Sequence, residues 1–73
     1  MKNDMIESKP TVMLGKPVIA GTRITVQSIL EHLAAGEAVE QILESYPRLT
    51  RKAVLAAVEY AAESIAGNRD YPI

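Results

Sequence analysis

The stretch "VEQILESYPRLTRKAVLAAVEY", Val39 to Tyr60, decides the fold, because two helical patterns meet there across a very short break. Before the break, apolar side chains recur at i, i+3, i+4 and i+7, which predicts one face of a helix. These positions are Val39, Ile42, Leu43 and Tyr46. Pro47 ends that helix, since the residue before a proline avoids the α region. A connection as short as "PRL" predicts packed neighbours, the outline of a helix-turn-helix and also of small bundles with no DNA role.

The two helices of this stretch have sequence signals at both ends. The first runs from about Glu37 to Tyr46, with Glu37 in a first turn where the helix dipole favours an anion. The second starts at Thr50, a good N-cap, and closes at Gly67-Asn68. Its expected apolar stripe, in a core or across an interface, is Val54, Val58, Ala61 and Ile65, with Leu55 and Ala62 beside it. It is rich in alanine, so another helix can approach it closely.

Upstream lie another helix and a short β-like segment. The upstream helix is the first of the three along the chain. Thr25 is its expected N-cap, and Gly36 ends it. Its apolar stripe is Val26, Ile29, Leu30 and Leu33. Ahead of it, "TVML" and "PVIA" are separated by Gly15-Lys16, which predicts a hairpin. The fold class is therefore mostly α, a three-helix bundle of helix-turn-helix type with a short N-terminal β-hairpin.

Composition bounds the domain organisation and the compartment. The chain has 73 residues, no cysteine and a formal net charge of −1. We expect a flexible N-terminus over 1–10, a single hairpin and three-helix domain over 11–67, and a short tail over 68–73. Since apolar runs are short and no signal peptide is visible, we expect a cytoplasmic protein with no membrane contact. No cofactor and no metal are expected.

The acid and base side chains do not form a convincing catalytic set. His32 is the single histidine, and we interpret it as a surface or edge residue. Glu37, Glu40 and Glu44 are spaced by helical turns, which predicts one solvated face opposite the apolar stripe. We therefore expect that the protein is not an enzyme.

The stretch "GKPVIAGTRIT", Gly15 to Thr25, reads as architecture. It is not a phosphate-binding P-loop, because its Gly-Lys is followed by proline and strand-forming residues rather than Ser or Thr and a helix. Gly21 allows a bend, and Ile24 can staple the start of the following helix. Arg23 is the residue that needs a partner, and the sequence leaves open whether that is a carbonyl, a glutamate or a phosphate.

The segment "PRLTRK" is the sharpest functional feature. Its basic residues fall where the second helix of a helix-turn-helix meets DNA, at a helix N-terminus that already attracts anions. The candidate DNA-binding residues are Arg48, Thr50, Arg51 and Lys52. The plainer interpretation is a solvated helix start.

Two runs carry a resemblance to a known family: "GKPVIAGTRI" and "YPRLT". Over about Leu14 to Glu63 the chain resembles the bacterial and archaeal DUF433 family, sometimes described as VapB-like antitoxins. The matching motif positions, of structural or interface character, are Gly15, Pro17, Gly21, Thr22, Arg23, Tyr46, Pro47 and Leu49. The resemblance implies a homeodomain-like domain encoded beside a PIN-like nuclease, and binding to that toxin and to the chain's own promoter.

Two functions of different class follow as expectations. The first is an antitoxin-type regulator that binds double-stranded DNA and a PIN-like toxin. The alternative is a protein-interaction module that docks a partner enzyme without binding DNA. Because one copy would bind DNA weakly, we expect a homodimer, with the hairpin as a candidate seam. For contact with the toxin the sequence leaves three alternatives: Tyr71, Pro72 and Ile73 form a small apolar anchor, the N-terminal residues serve instead, or the toxin role is absent.

Overall fold

A computed structural model of the chain describes residues 4–66. It shows a two-stranded antiparallel hairpin and three helices, which confirms the predicted fold class. The strands are β1, Ile6–Glu7, and β2, Val18–Ile19, and the helices are α1, Val26–Ala34, α2, Val39–Ser45, and α3, Arg51–Ala66. A short 3₁₀ turn, Met13–Gly15, lies between the strands.

The first strand of the hairpin is not where the sequence placed it. β1 pairs with β2 so that Ile6 lies opposite Ile19, whereas "TVML" ends in the 3₁₀ turn. Met13 and Leu14 adopt positive φ angles of 50° and 58°, which an extended strand cannot contain. Leu14 is also 93% exposed, whereas Ile6 packs against the core. Partial burial of Ile6 against the core therefore favours a strand inside the segment 1–10, which the sequence suggested was flexible.

Helices α1 and α3 begin at the predicted caps. The Thr25 hydroxyl oxygen accepts a hydrogen bond from the Ser28 N–H at 3.0 Å, which caps α1. The Thr50 hydroxyl oxygen accepts from the Ala53 N–H at 3.1 Å and caps α3 in the same way. Gly36 follows α1 with a φ of +92°, the left-handed geometry of a helix end. The predicted closure at Gly67-Asn68 lies outside the described residues.

Helix α2 is shorter than predicted at its start. It begins at Val39, and the Gln41 side-chain oxygen accepts a hydrogen bond from the Ala38 N–H at 2.7 Å. Glu37 therefore precedes the helix, and Glu40 is the acid of its first turn. The prediction that Glu37 occupies that turn was wrong, because Glu37 is held by His32 instead.

The core lies between the three helices and β2, and α3 uses a different face in it from the predicted one. Val54 is buried as expected, but its buried companions on α3 are Ala53 and Ala57. Val58 and Ile65 of the expected stripe are 38% and 68% exposed. The small side chains of Ala53 and Ala57 let the other helices approach the α3 backbone closely, and the larger Val58 and Ile65 stay outside.

Candidate nucleic-acid interface

The turn between α2 and α3 contains a buried apolar residue that packs in the core and an exposed charged residue. Leu49 is buried at 6% exposure, and its N–H donates to the Tyr46 carbonyl at 2.9 Å. Pro47 and Arg48 precede Leu49 in the turn, and both are exposed. The buried Leu49 thus holds the turn against the core, and Arg48 lies on the exposed part of the turn.

The four predicted DNA-binding residues all lie at this exposed end of α3. Arg48 precedes the cap Thr50, and Arg51 and Lys52 occupy the first turn of the helix. The first-turn N–H groups of a helix add a partial positive charge at the same place. The structure thus brings together a positive edge that an anionic backbone can approach from solvent.

Arg51 is less available than its neighbours, because it forms an ion pair with Glu40 of α2. A backbone N–H bond at Glu40, and after it the Arg51 guanidinium, hold the pKa of the Glu40 carboxyl below its ordinary value. Lys52 has no such pairing within residues 4–66. Of the first-turn cations, Lys52 therefore carries the charge that is open to a ligand.

The loop after β2 is tightly hydrogen-bonded. Gly21 has a φ of +78°, and its N–H donates to a Glu7 carboxylate oxygen at 3.1 Å. The Thr22 hydroxyl donates to the Ile19 carbonyl at 2.8 Å and accepts from the Ile24 N–H at 3.0 Å. This local network, without a hydrogen bond from Arg23, holds the bend that leads into α1.

Arg23 extends from that loop into solvent, and it has neither a hydrogen bond nor an ion pair to any residue of the described part of the chain. Of the partners that the sequence left open, neither a carbonyl nor a glutamate within 4–66 bonds to Arg23. Arg48 reaches the same loop from the α2–α3 turn, and its guanidinium lies 3.5 Å from the Gly21 carbonyl oxygen. Arg23 and Arg48 line one open cavity of about 470 Å³, together with Glu7, Val12, Gly21 and Thr22.

His32 lies in a structural bridge between α1 and both ends of α2. Its Nδ1 is 2.8 Å from a Glu37 carboxylate oxygen, and its Nε2 is 3.3 Å from the Tyr46 hydroxyl. The rings of His32 and Tyr46 also meet edge to face, with centroids 5.5 Å apart. The predicted common face of the three glutamates was therefore wrong for Glu37, whereas Glu40 and Glu44 are exposed.

A second surface, which the sequence reasoning missed, is apolar. An open groove of about 540 Å³ runs between α1 and the C-terminal half of α3, with Leu30, Ala34 and Ile65 among its lining residues. Next to it, exposed apolar residues follow the 3-4-3 spacing of a coiled-coil seam along α3. They are Leu55, Val58, Ala62 and Ile65, and we call them the α3 stripe. The spacing is visible in the sequence, but the predicted stripe combined Val58 and Ile65 with Val54 and Ala61 and placed Leu55 and Ala62 beside it.

The remaining predicted positions have structural places or lie outside the description. Gly15 closes the 3₁₀ turn at a φ of +84°, and the Pro17 carbonyl accepts from the Val26 N–H at 3.0 Å. The expected anchor of Tyr71, Pro72 and Ile73 falls outside the described residues. Across 4–66, no cluster of three or more His, Asp or Glu side chains has metal-binding geometry. None of the helices found there has the length and apolarity to span a bilayer.

Comparison with known proteins gives consistent results over most of the chain. The model of the family described as "Protein of unknown function (DUF433)" matches residues 6–61. The uncharacterised protein y4eO of Sinorhizobium fredii (strain NBRC 101917 / NGR234) is 36% identical over 67 residues, which is 90% of this chain and 30% of that protein. The crystal structure of a DUF433 member from Anabaena variabilis ATCC 29413 is similar, with a TM-score of 0.80 at 29% identity. That match covers 90% of this chain and 64% of the solved one, so the chain spans only part of each relative.

Proposed function

The chain belongs to the DUF433 family of proteins of unknown function, and we propose that it is an antitoxin-type DNA-binding regulator. In this proposal it binds its own promoter as a homodimer and binds a PIN-like toxin. The observation that carries the DNA-binding part is the exposed basic edge at the start of α3, with Arg48 and Lys52 open to solvent. This edge lies at the N-terminus of the second helix of a helix-turn-helix, where such domains contact DNA.

The charges of α3 favour phosphate contacts over base reading. Beyond the first turn, the helix carries alanines and the acids Glu59 and Glu63, and long polar side chains suited to base edges are scarce. Affinity from one copy would then come mainly from released counterions and would fall steeply with salt. A dimer would strengthen binding by engaging two half-sites.

The test is a salt titration of DNA binding by fluorescence anisotropy, with labelled duplex from upstream of the gene. We expect saturable binding, and we expect Lys52→Ala to reduce the slope of log K against log salt by about 0.9, one phosphate contact. Arg51→Ala should weaken binding less, because Arg51 is already paired with Glu40. Lys16→Ala is the matched control, since Lys16 is an exposed cation that lines the apolar groove instead.

Absence of binding by the parent at low salt would contradict the DNA-binding assignment, because non-specific attraction is strongest there. Equal slopes for the parent and the Lys52→Ala variant would remove Lys52 from the interface even if DNA binds. The control keeps these outcomes apart, since it changes the net charge by the same amount at a different place.

A second candidate function, a protein-interaction module that docks a partner enzyme, is favoured by the α3 stripe. Leu55 and Ile65 are 55% and 68% exposed on a helix that already packs another face, with Ala53, Val54 and Ala57, in the core. Apolar residues at this spacing are the anchors that helices use to dock partners. Co-expression with the neighbouring gene's product tests this candidate. Retention of the partner by the parent and its loss with Ile65→Asp would support it, and a chain that purifies alone would contradict it.

A further inference from the structure

We propose that Arg23 and Arg48 form a second phosphate-binding site, which extends the DNA-contacting surface from α3 onto the loop after β2. This inference rests on the proposed DNA-binding function and adds a residue, Arg23, that a helix-turn-helix outline does not assign. The ligand is the phosphodiester backbone of duplex DNA. The site is the open cavity of about 470 Å³ that the two arginines line.

The two arginines come from segments far apart in the chain, and the fold holds them on one side of the molecule. Arg48 lies in the α2–α3 turn and reaches within 3.5 Å of the Gly21 carbonyl, 27 residues earlier. Arg23 follows Gly21 by two residues and borders the same cavity. The two arginines therefore border one open space, which a single phosphate backbone could enter.

The loop that carries Arg23 is organised before any ligand arrives. The Thr22 N–H and hydroxyl both bond to the Ile19 carbonyl, at 2.9 Å and 2.8 Å. The Ile19 N–H in turn donates to the Ile24 carbonyl at 2.9 Å, which ties the two ends of the loop. Ordering a loop usually costs binding free energy, and here the fold has already ordered the backbone of the loop.

The charge of this site is open to an anion. Arg23 makes no ion pair within residues 4–66, and the neighbour of Arg48 is a carbonyl oxygen rather than a carboxylate. Glu7 is the acid of the cavity, but its two oxygens are engaged by the Gly21 N–H at 3.1 Å and, at 3.8 Å, by the Lys9 ammonium. Since a guanidinium offers paired donors that match a phosphate, two unpaired arginines favour a phosphate ligand.

The site is continuous with the start of α3. Arg48 precedes Arg51 by three residues and Lys52 by four, and all three are exposed. The positive surface therefore runs from Arg23 through the turn to the first turn of the helix. On a duplex, such a strip follows one phosphate backbone beside the groove that α3 enters, which is the positioning role of phosphate contacts.

The experiment compares salt slopes of duplex DNA binding for the parent, Arg23→Gln, Arg48→Gln and the control Lys16→Gln. We expect Arg23→Gln and Arg48→Gln each to lower the slope by about 0.9, and the control to keep the parent's slope. Arg23→Lys should also keep the slope, because it keeps the charge, while its affinity falls through loss of the paired donors. Circular dichroism of each variant checks that the fold is intact. Arg23 should pass this check, since it has no partner within 4–66.

Each outcome has a distinct meaning. If the parent binds and Arg23→Gln matches the Lys16→Gln control, the second site is overturned while the α3 interface stands. If the parent binds no DNA at low salt, the proposed function and this site fail together. If duplex RNA of equal length binds more tightly than DNA, the assignment of DNA as the ligand is overturned.

Discussion

The two halves of α3 differ in what they present to solvent. The N-terminal half is capped by Thr50, joined to α2 through the Arg51–Glu40 pair, and positively charged. The C-terminal half exposes Ile65 and borders an apolar groove. Ala53 and Ala57 face the core, and their small side chains let the other helices pack closely against α3. The contact with the core therefore occupies only part of the helix surface, and the rest stays exposed. One helix can thus carry an electrostatic surface and a hydrophobic surface at once.

The largest expected effect comes from a change that removes both surfaces together. Ile42 has 0% exposure at the centre of the core, so Ile42→Ala should lower the free energy of unfolding by about 2–5 kcal/mol. A domain of this size has roughly 3–5 kcal/mol of net stability, so we expect the variant to be largely unfolded. Urea unfolding followed by circular dichroism measures this loss.

The matched control for this change is Ile65→Ala, the same substitution at 68% exposure. We expect it to change stability by less than about 0.5 kcal/mol while weakening any partner that docks on the α3 stripe. A loss of stability as large as that of Ile42→Ala would mean that Ile65 is covered in the folded protein. The division of α3 into two surfaces would then be wrong.

The next effect concerns the loop that carries Arg23. Gly21 has a φ of +78°, and no atom lies within 4 Å of the place where a Cβ would be added. Gly21→Ala should therefore cost about 1–2 kcal/mol from backbone strain alone, without a steric clash. Gly21→Asn should cost less, because asparagine tolerates the left-handed region. Thermal unfolding of the three proteins gives the order, and an alanine variant as stable as the parent would contradict the observed turn.

A smaller effect tests the N-terminal half of α3 alone. Thr50→Ala removes the hydroxyl oxygen that accepts from the Ala53 N–H, and it should cost about 1 kcal/mol of stability. Thr50→Ser keeps the acceptor and should stay within a few tenths of a kcal/mol of the parent, as the capping scale ranks Ser at least as high as Thr. Urea midpoints separate the two variants, and equal losses would show that the cap does not matter here.

The features that could be predicted well from the sequence are those that depend on interactions between residues close together in the chain. The caps at Thr25 and Thr50 and the break at Pro47 follow from local backbone geometry, and the structure confirms them. The pairing of Ile6 with Ile19 could not be predicted this way, because two-residue strands have almost no pattern of their own. Their pairing depends on burial against helices that come later in the chain.

The site shows the same limit. The rotation of α3 was missed because Ala57 and Val58 look equally apolar in a periodic pattern, and the choice between them depends on how closely other helices approach. The Arg51–Glu40 pair joins residues 11 apart across two helices, and the Arg48–Gly21 contact joins residues 27 apart. Contacts of this kind decide which cations remain open to a ligand, and they exist only once the helices are packed.

The smallest expected effect is a pH dependence that comes from the Arg51–Glu40 pair. A backbone N–H bond, followed by the Arg51 guanidinium, lowers the pKa of Glu40 in the folded state from its ordinary value of 4.5. A lowered folded-state pKa means that the pair stabilises the fold above about pH 4.5 and that this contribution is lost as the pH falls through the lowered value. Glu40→Gln should therefore be less stable than the parent at pH 7, with the difference narrowing below pH 4.5. Glu44→Gln removes an exposed carboxylate of the same helix but leaves the pair intact, so it should keep the parent's acid dependence.

The Glu40→Gln variant also leaves Arg51 unpaired, so it should bind duplex DNA more tightly than the parent at equal salt. Unchanged affinity would place Arg51 outside the phosphate-binding surface.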